Sequence, residues 1–99
     1  MIWVKIYRTP QDILLAAADE ELVGKEFRDG KYKIKITESF YKDMLVTEEQ
    51  FIELFLTCSV ANLVGNRTVG KAIEMGFISS SNVLTIQGIP HAQFSLMEE

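Results

Sequence analysis

The stretch Thr47–Phe77 constrains this chain most, because explicit helix signals bracket a long apolar run. Thr47 can cap a helix N-terminus, with Gln50 three residues on as its capping-box partner and Val46 and Phe51 placed as a hydrophobic staple. Glu48 and Glu49 fall in the first turn, where carboxylates favour the positive end of the helix dipole. From Phe51 to Val64 apolar residues nearly surround the axis and only Glu53 and Thr57 continue a polar stripe, so the pattern predicts a helix buried inside a domain. Gly65 ends that helix, Asn66 is placed to cap the next, and Val69, Ala72 and Ile73 supply a 3.6-residue period. Gly76 closes the second helix, with Phe77 folding back in a Schellman-type contact. The stretch reads as two helices joined by a single glycine, which fixes architecture and names no activity.

The remaining totals mostly exclude. With 99 residues and no linker, repeat or low-complexity segment, residues 1–99 are expected to form a single domain. No apolar run approaches the roughly 18 residues that cross a bilayer, and the alternation at the N-terminus is unlike a signal peptide, so no membrane partner is expected. One cysteine permits no intrachain disulfide, which points to a reducing cytoplasm, and one histidine beside it builds no closed zinc site. No metal or other cofactor is expected. Residues 1–42 hold eight Lys/Arg against seven Asp/Glu, whereas residues 43–99 hold two against seven. Any basic patch therefore belongs to the N-terminal half, inside a chain of net charge −4.

Taken in order, Ile2–Arg8 alternates as a half-buried strand with Trp3, Lys5 and Tyr7 outward, and Thr9–Asp12 is a turn. Ile13–Ala18 is continuously apolar and suits a central strand covered on both sides, while Asp19–Gly24 predicts one helical turn. Arg28-Asp29-Gly30 is a turn leading into Lys31–Thr37, the clearest strand, with Tyr32, Ile34 and Ile36 inward and Lys31, Lys33 and Lys35 outward. Glu38–Val46 reads as a loop or irregular strand. After the helices come strands at Val83–Gln87 and His91–Leu96, joined by a tight Gly88-Ile89-Pro90 connection, and the final Glu98 and Glu99 are expected to fray. The fold class is α+β: a compact domain with a mixed or mostly antiparallel sheet of about five strands and a central helix pair packed on one face.

Four groups of residues carry candidate chemistry. Lys31, Lys33 and Lys35, with Arg28 before them, place ammonium groups about 7 Å apart along a strand, a spacing that can follow a phosphate backbone or simply protect a sheet edge. His91 and Gln93 project together from the last strand, either toward a ligand or to tie their strand to a neighbouring carbonyl. Asn62, Gly65, Asn66 and Arg67 cluster at the helix junction, where free N–H groups and Arg67 could hold an anion. The structural account there, with Asn66 as cap, Gly65 supplying positive φ and Arg67 solvated, explains more of the residues. Cys58 and Asn62, four apart on a helix, share with His91 the residue types of a Cys–His–Asn nucleophilic site, against which a free cysteine in an apolar helix is usually a small buried hydrophobe. A helix-turn-helix around Gly65 is disfavoured, since Arg67 and Lys71 are its only cations and Glu74 opposes phosphate, so no DNA reading is expected.

Three stretches, Leu22–Phe27 with the lysine strand after it, Ser59–Gly65, and Gly88–Gln93, together resemble a small archaeal family, domain of unknown function 424. The resemblance implies a compact cytoplasmic archaeal protein, supplies no catalytic residue, and by association raises a role near translation or RNA. The leading expectation is a non-catalytic binding or accessory protein with RNA or a protein of the translation machinery as partner, contacting it through Arg28, Lys31, Lys33 and Lys35 and secondarily through His91 and Gln93. A self-associating, homo-oligomeric module motivated by Trp3, Tyr7, Phe40 and Tyr41 is the alternative, and a small-molecule enzyme using Cys58 or His91 the third.

Overall fold

The structure, a computed structural model, describes residues 1–96. In chain order its elements are β1 (Ile2–Arg8), β2 (Ile13–Asp19), β3 (Glu26–Asp29), β4 (Tyr32–Lys35), α1 (Glu38–Tyr41), β5 (Met44–Val46), α2 (Glu48–Phe55), β6 (Val60–Val64), α3 (Asn66–Glu74), β7 (Leu84–Ile86) and β8 (Ile89–Ser95). Six strands form one sheet in the order β5-β1-β2-β6-β8-β7, and β3 and β4 form a separate hairpin. All pairings are antiparallel except β2 with β6 at the centre. The α+β class and the mostly antiparallel sheet are as expected, with six strands in the main sheet instead of about five. Glu98 and Glu99 lie outside the described residues.

The sheet separates two apolar layers, because side chains alternate across each strand. On one face Ile2, Val4, Leu15, Ala17, Ala61 and Leu63 meet Phe51 and Phe55 of α2 and Val69 and Ala72 of α3. On the other, Ala16, Ala18, Val64 and Ile86 meet Leu22, Ile34, Ile36 and Tyr41. β2 is covered on both sides, as its unbroken apolar sequence predicts.

The largest correction falls between the helices. The helix predicted to run to Val64 stops at Phe55, and Val60–Val64 is a central strand paired with β2 and β8. An apolar run with no polar face satisfies a buried helix and a doubly covered strand equally, so periodicity alone does not separate them. The local stop is visible in the structure: the Thr57 hydroxyl donates to the Leu54 carbonyl at 2.7 Å and the Cys58 thiol to the Phe55 carbonyl at 3.1 Å, satisfying the last turn. The two helices do pack on one face of the sheet, but as separate elements, and the helix-turn-helix geometry is absent. The capping box at α2 is as predicted, with Gln50 N donating to Thr47 Oγ1 at 3.1 Å and Thr47 N to Gln50 Oε1 at 2.9 Å.

Smaller corrections follow the same logic. Glu38–Val46, expected as loop or irregular strand, contains α1 and the edge strand β5. Ile89 and Pro90 already belong to β8, so the connection after β7 is Gln87-Gly88, both at positive φ. Of Trp3, Tyr7, Phe40 and Tyr41, weighed as a self-association surface, the first three are half-buried and Tyr41 is buried. Tyr7 stacks on Phe40 at 5.3 Å and donates to the Phe40 carbonyl at 2.8 Å, and Lys42 sits 5.3 Å over the Trp3 ring. Among the described residues no helix is long and apolar enough to cross a membrane.

Candidate functional site

The β3–β4 hairpin gathers four of the expected contact residues. Gly30, at φ +60°, and Lys31 make the two-residue connection, and Asp29 pairs with Tyr32, Arg28 with Lys33, and Glu26 with Lys35. Arg28 and Asp29, predicted in a turn, are therefore the end of a strand whose single apolar residue, Phe27, gave little periodicity to read. Below the hairpin, Gly24 N donates to Ile36 O at 2.6 Å and Ile36 N to Lys25 O at 2.9 Å, which carries the ladder to its base. Phe27, Ile34 and Ile36 anchor one face in the second core layer, and the hairpin packs against β7.

The opposite face is exposed and carries Arg28, Lys33 and Lys35 around Glu26. Lys33 Nζ lies 3.1 Å and Arg28 3.8 Å from Glu26 Oε1. The Lys33 hydrogen bond, reinforced by Lys35 and Arg28, holds the Glu26 carboxyl below the usual carboxylate range. One carboxylate thus pairs with two cations and has a third, Lys35, across the ladder, so the face keeps a positive excess. Lys31 is not part of this row. It stands in the connection, 5.8 Å over the ring of Tyr32, which is 49% exposed instead of buried as expected. Tyr32 has the inward parity of Ile34 but sits at the hairpin tip. The Asp29-Gly30 turn immediately before it is the signal that marks residue 32 as a tip position.

Asn62, His91 and Gln93 also come together, on the second face of the main sheet. Asn62 and Gln93 are direct cross-strand partners, and His91 shares their face opposite Val64 and Leu84. Two shallow hollows meet at Gln93, one of about 220 Å³ beside Asn62 and Ser95, the other of about 290 Å³ beside Asn82, Leu84 and His91. The His91 imidazole is half-buried, and that burial lowers its pKa from 6.5, which keeps it neutral at pH 7. Among the described residues it has no hydrogen-bond partner, so the carbonyl tie weighed for it is not formed.

Arg67 belongs elsewhere. Gly65, at φ +110°, occupies the N-cap position of α3, and Asn66, expected as the cap, is the first helical residue. The cap is Asp19, from the end of β2. Its buried carboxylate accepts from Arg67 N at 2.9 Å, Thr68 N at 2.8 Å and Thr68 Oγ1 at 2.7 Å. A Cβ at residue 65 would overlap that carboxylate, so this close approach requires glycine. The Arg67 guanidinium, expected to be solvated, reaches Glu21 at 3.3 Å and the Met1 carbonyl at 3.4 Å. The N–H groups that would have received an external anion are already satisfied, and Asn62 lies on the sheet instead of beside them.

The Cys–His–Asn combination is not assembled. Cys58 sits in the turn after α2 on the first core layer, whereas Asn62 and His91 lie on the other face of the sheet. Burial pushes the Cys58 thiol up to about 11, which keeps it protonated and poorly nucleophilic at neutral pH. Among the described residues no group of three His, Cys, Asp or Glu is placed to hold a metal ion.

Against known families, residues 7–97 match the model described as protein of unknown function, DUF424. The chain belongs to the DUF424 family. This agrees with the resemblance carried by Leu22–Phe27, Ser59–Gly65 and Gly88–Gln93. Among solved structures, an uncharacterized conserved protein from Methanopyrus kandleri is similar to this DUF424 chain, with a TM-score of 0.77 and 19% identity over 99% of this chain and 95% of that one. At that identity the likeness concerns the fold alone. No curated protein matches the chain.

Proposed function

We propose that this DUF424 protein is a non-catalytic binding protein that holds RNA on the β3–β4 hairpin. The observation that carries the reading is the concentration of Lys25, Arg28, Lys31, Lys33 and Lys35, against only Glu26 and Asp29, along residues 25–35 of a chain whose net charge is −4. Flexible cations on an exposed two-stranded ribbon suit a phosphate backbone, where each neutralised phosphate releases condensed counterions. The exposed Tyr32 ring beside Lys31 adds a surface on which an unpaired base can stack, which favours single-stranded segments over regular duplex. His91 and Gln93 extend the contact: the hairpin packs on β7, and β7 pairs with β8 at Leu84 and His91. In this reading the imidazole and amide offer neutral hydrogen-bonding groups to a base edge.

The test is titration of a fluorescent single-stranded RNA with wild-type protein and with the Lys31→Gln/Lys33→Gln/Lys35→Gln variant across a salt series. The reading expects wild-type binding with a negative slope of log affinity against log salt, and a variant slope shallower by up to about three counterions. Tyr32→Ala should weaken single-stranded binding and leave the slope unchanged, because it removes stacking but no charge. Absence of wild-type binding at low salt ends the proposal.

A further inference from the structure

The second face of the main sheet is only partly covered. The hairpin, α1 and Leu22 lie over Ala16, Ala18, Val64 and Ile86. Across the row Ala16–Asn62–Gln93 that cover thins, and the three residues run from buried through half-exposed to exposed. One row further out, Leu14 and Val60 are cross-strand partners and both half-exposed. Asn62 is the one polar residue of β6, a strand at the centre of the sheet, and asparagine is depleted in strands. Its amide does no structural work there: among the described residues neither it nor the amide of its cross-strand partner Gln93 has a side-chain hydrogen bond. The walls of the two hollows that meet at Gln93 contain no Lys, Arg, Asp or Glu. A group seated on this ledge therefore meets paired carboxamides and apolar surface, with no charge beside it.

We infer that Asn62 and Gln93 select adenine among the bases of a single strand held by the hairpin, an inference that rests on the RNA binding proposed above. A carboxamide presents an acceptor and a donor side by side, which matches the N6 donor and N7 acceptor of adenine. The corresponding edge of guanine offers two acceptors and calls for the arginine or lysine that these walls lack. Leu14 and Val60 supply apolar floor beside the amides, where the two rings of a purine cover more surface than a pyrimidine does. The phosphates stay on the hairpin, which packs on β7, and β7 joins the ledge through the Leu84–His91 pair. Charge thus holds the strand, and the two amides read one of its bases.

The probes are fluorescent uridylate strands of equal length that carry one central adenosine, guanosine or cytidine, or none. Wild-type protein should bind the adenosine strand about tenfold more tightly than the other three. Gln93→Ala, at an exposed position, and Asn62→Ala should each erase most of that preference while leaving the affinity for plain uridylate and its salt slope unchanged, which a misfolded variant would not do. Tyr32→Ala should weaken all four strands alike and keep the preference. Equal wild-type affinity for the four strands would overturn the inference and leave the hairpin reading standing. A preference for guanosine or cytidine, or an adenosine preference that survives both amide variants, would overturn it as well. Absence of binding to every strand at low salt would end both readings together.

Discussion

The N-terminus of α3 and the β3–β4 hairpin both gather positive charge or dipole, and they end in opposite states. At α3 the backbone donors and helix dipole are satisfied by Asp19, reaching from β2 to accept three hydrogen bonds, while Glu21 neutralises Arg67. At the hairpin, Arg28 and Lys33 share Glu26, Lys35 stands across the ladder from the same carboxylate, and among the described residues Lys31 meets the Tyr32 ring. A helix N-terminus attracts an anion whether it belongs to a ligand or to the protein. Here the protein supplies its own, and the site becomes a joint between sheet and helix. The hairpin, by contrast, is anchored by Phe27, Ile34 and Ile36 beneath, which leaves its charges without a structural task.

Removing the Asp19 carboxylate should break the comparison hardest. Asp19→Ala leaves two helix N–H groups and the buried Thr68 hydroxyl without their acceptor, and should cost about 3 kcal/mol or more in denaturant unfolding. The variant should then behave as an anion site, with sulfate or phosphate raising its melting temperature more than it raises that of the wild type. Gly65→Ala should destabilise comparably, because the added Cβ meets the carboxylate and residue 65 holds a left-handed φ. Stability near wild type in either variant would show that the joint is unimportant.

Thr47→Ala supplies the scale for a local cap, in which one side chain serves the helix it starts. Its cost should be about 1 kcal/mol, read from the shift in urea midpoint, well below that of Asp19→Ala. Smaller again is the contribution of His91. Its folded pKa is lowered by burial, so the unfolded chain takes up the proton first as pH falls. Stability should hold above the unfolded value of 6.5 and decline as pH drops below it, and His91→Gln should flatten the unfolding midpoint between pH 7 and pH 5. The lowered carboxylates Glu21 and Glu26 act at lower pH, below 4.5, and leave that window clear.

The same contrast explains what the sequence disclosed. The α2 cap was legible because Thr47 and Gln50 lie three residues apart. The α3 cap was not, since nothing near Asn66 announces an aspartate 48 residues upstream of Arg67, and Asn66 offered a plausible local substitute. The strand β1 and its turn were legible from alternation and from Thr9 and Asp12, which do bond each other. β6 was hidden because burial on both faces erased its period, and with it went the placement of Asn62 beside Gln93 instead of beside Arg67. The hairpin cations were legible as a group, but the exposure of Tyr32 depended on where the ribbon ends relative to the core.

The hairpin, and not α3, carries the open positive surface. The deciding experiment follows the salt dependence of single-stranded RNA binding in wild-type protein, in Arg28→Gln/Lys33→Gln/Lys35→Gln and in Arg67→Gln, with urea midpoints taken on each. The hairpin variant should keep its stability within about 0.5 kcal/mol, as exposed positions do, while losing affinity and up to about three counterions of slope. Arg67→Gln should bind RNA as the wild type does. Wild-type affinity in the hairpin variant, or binding lost with Arg67→Gln, would contradict the account.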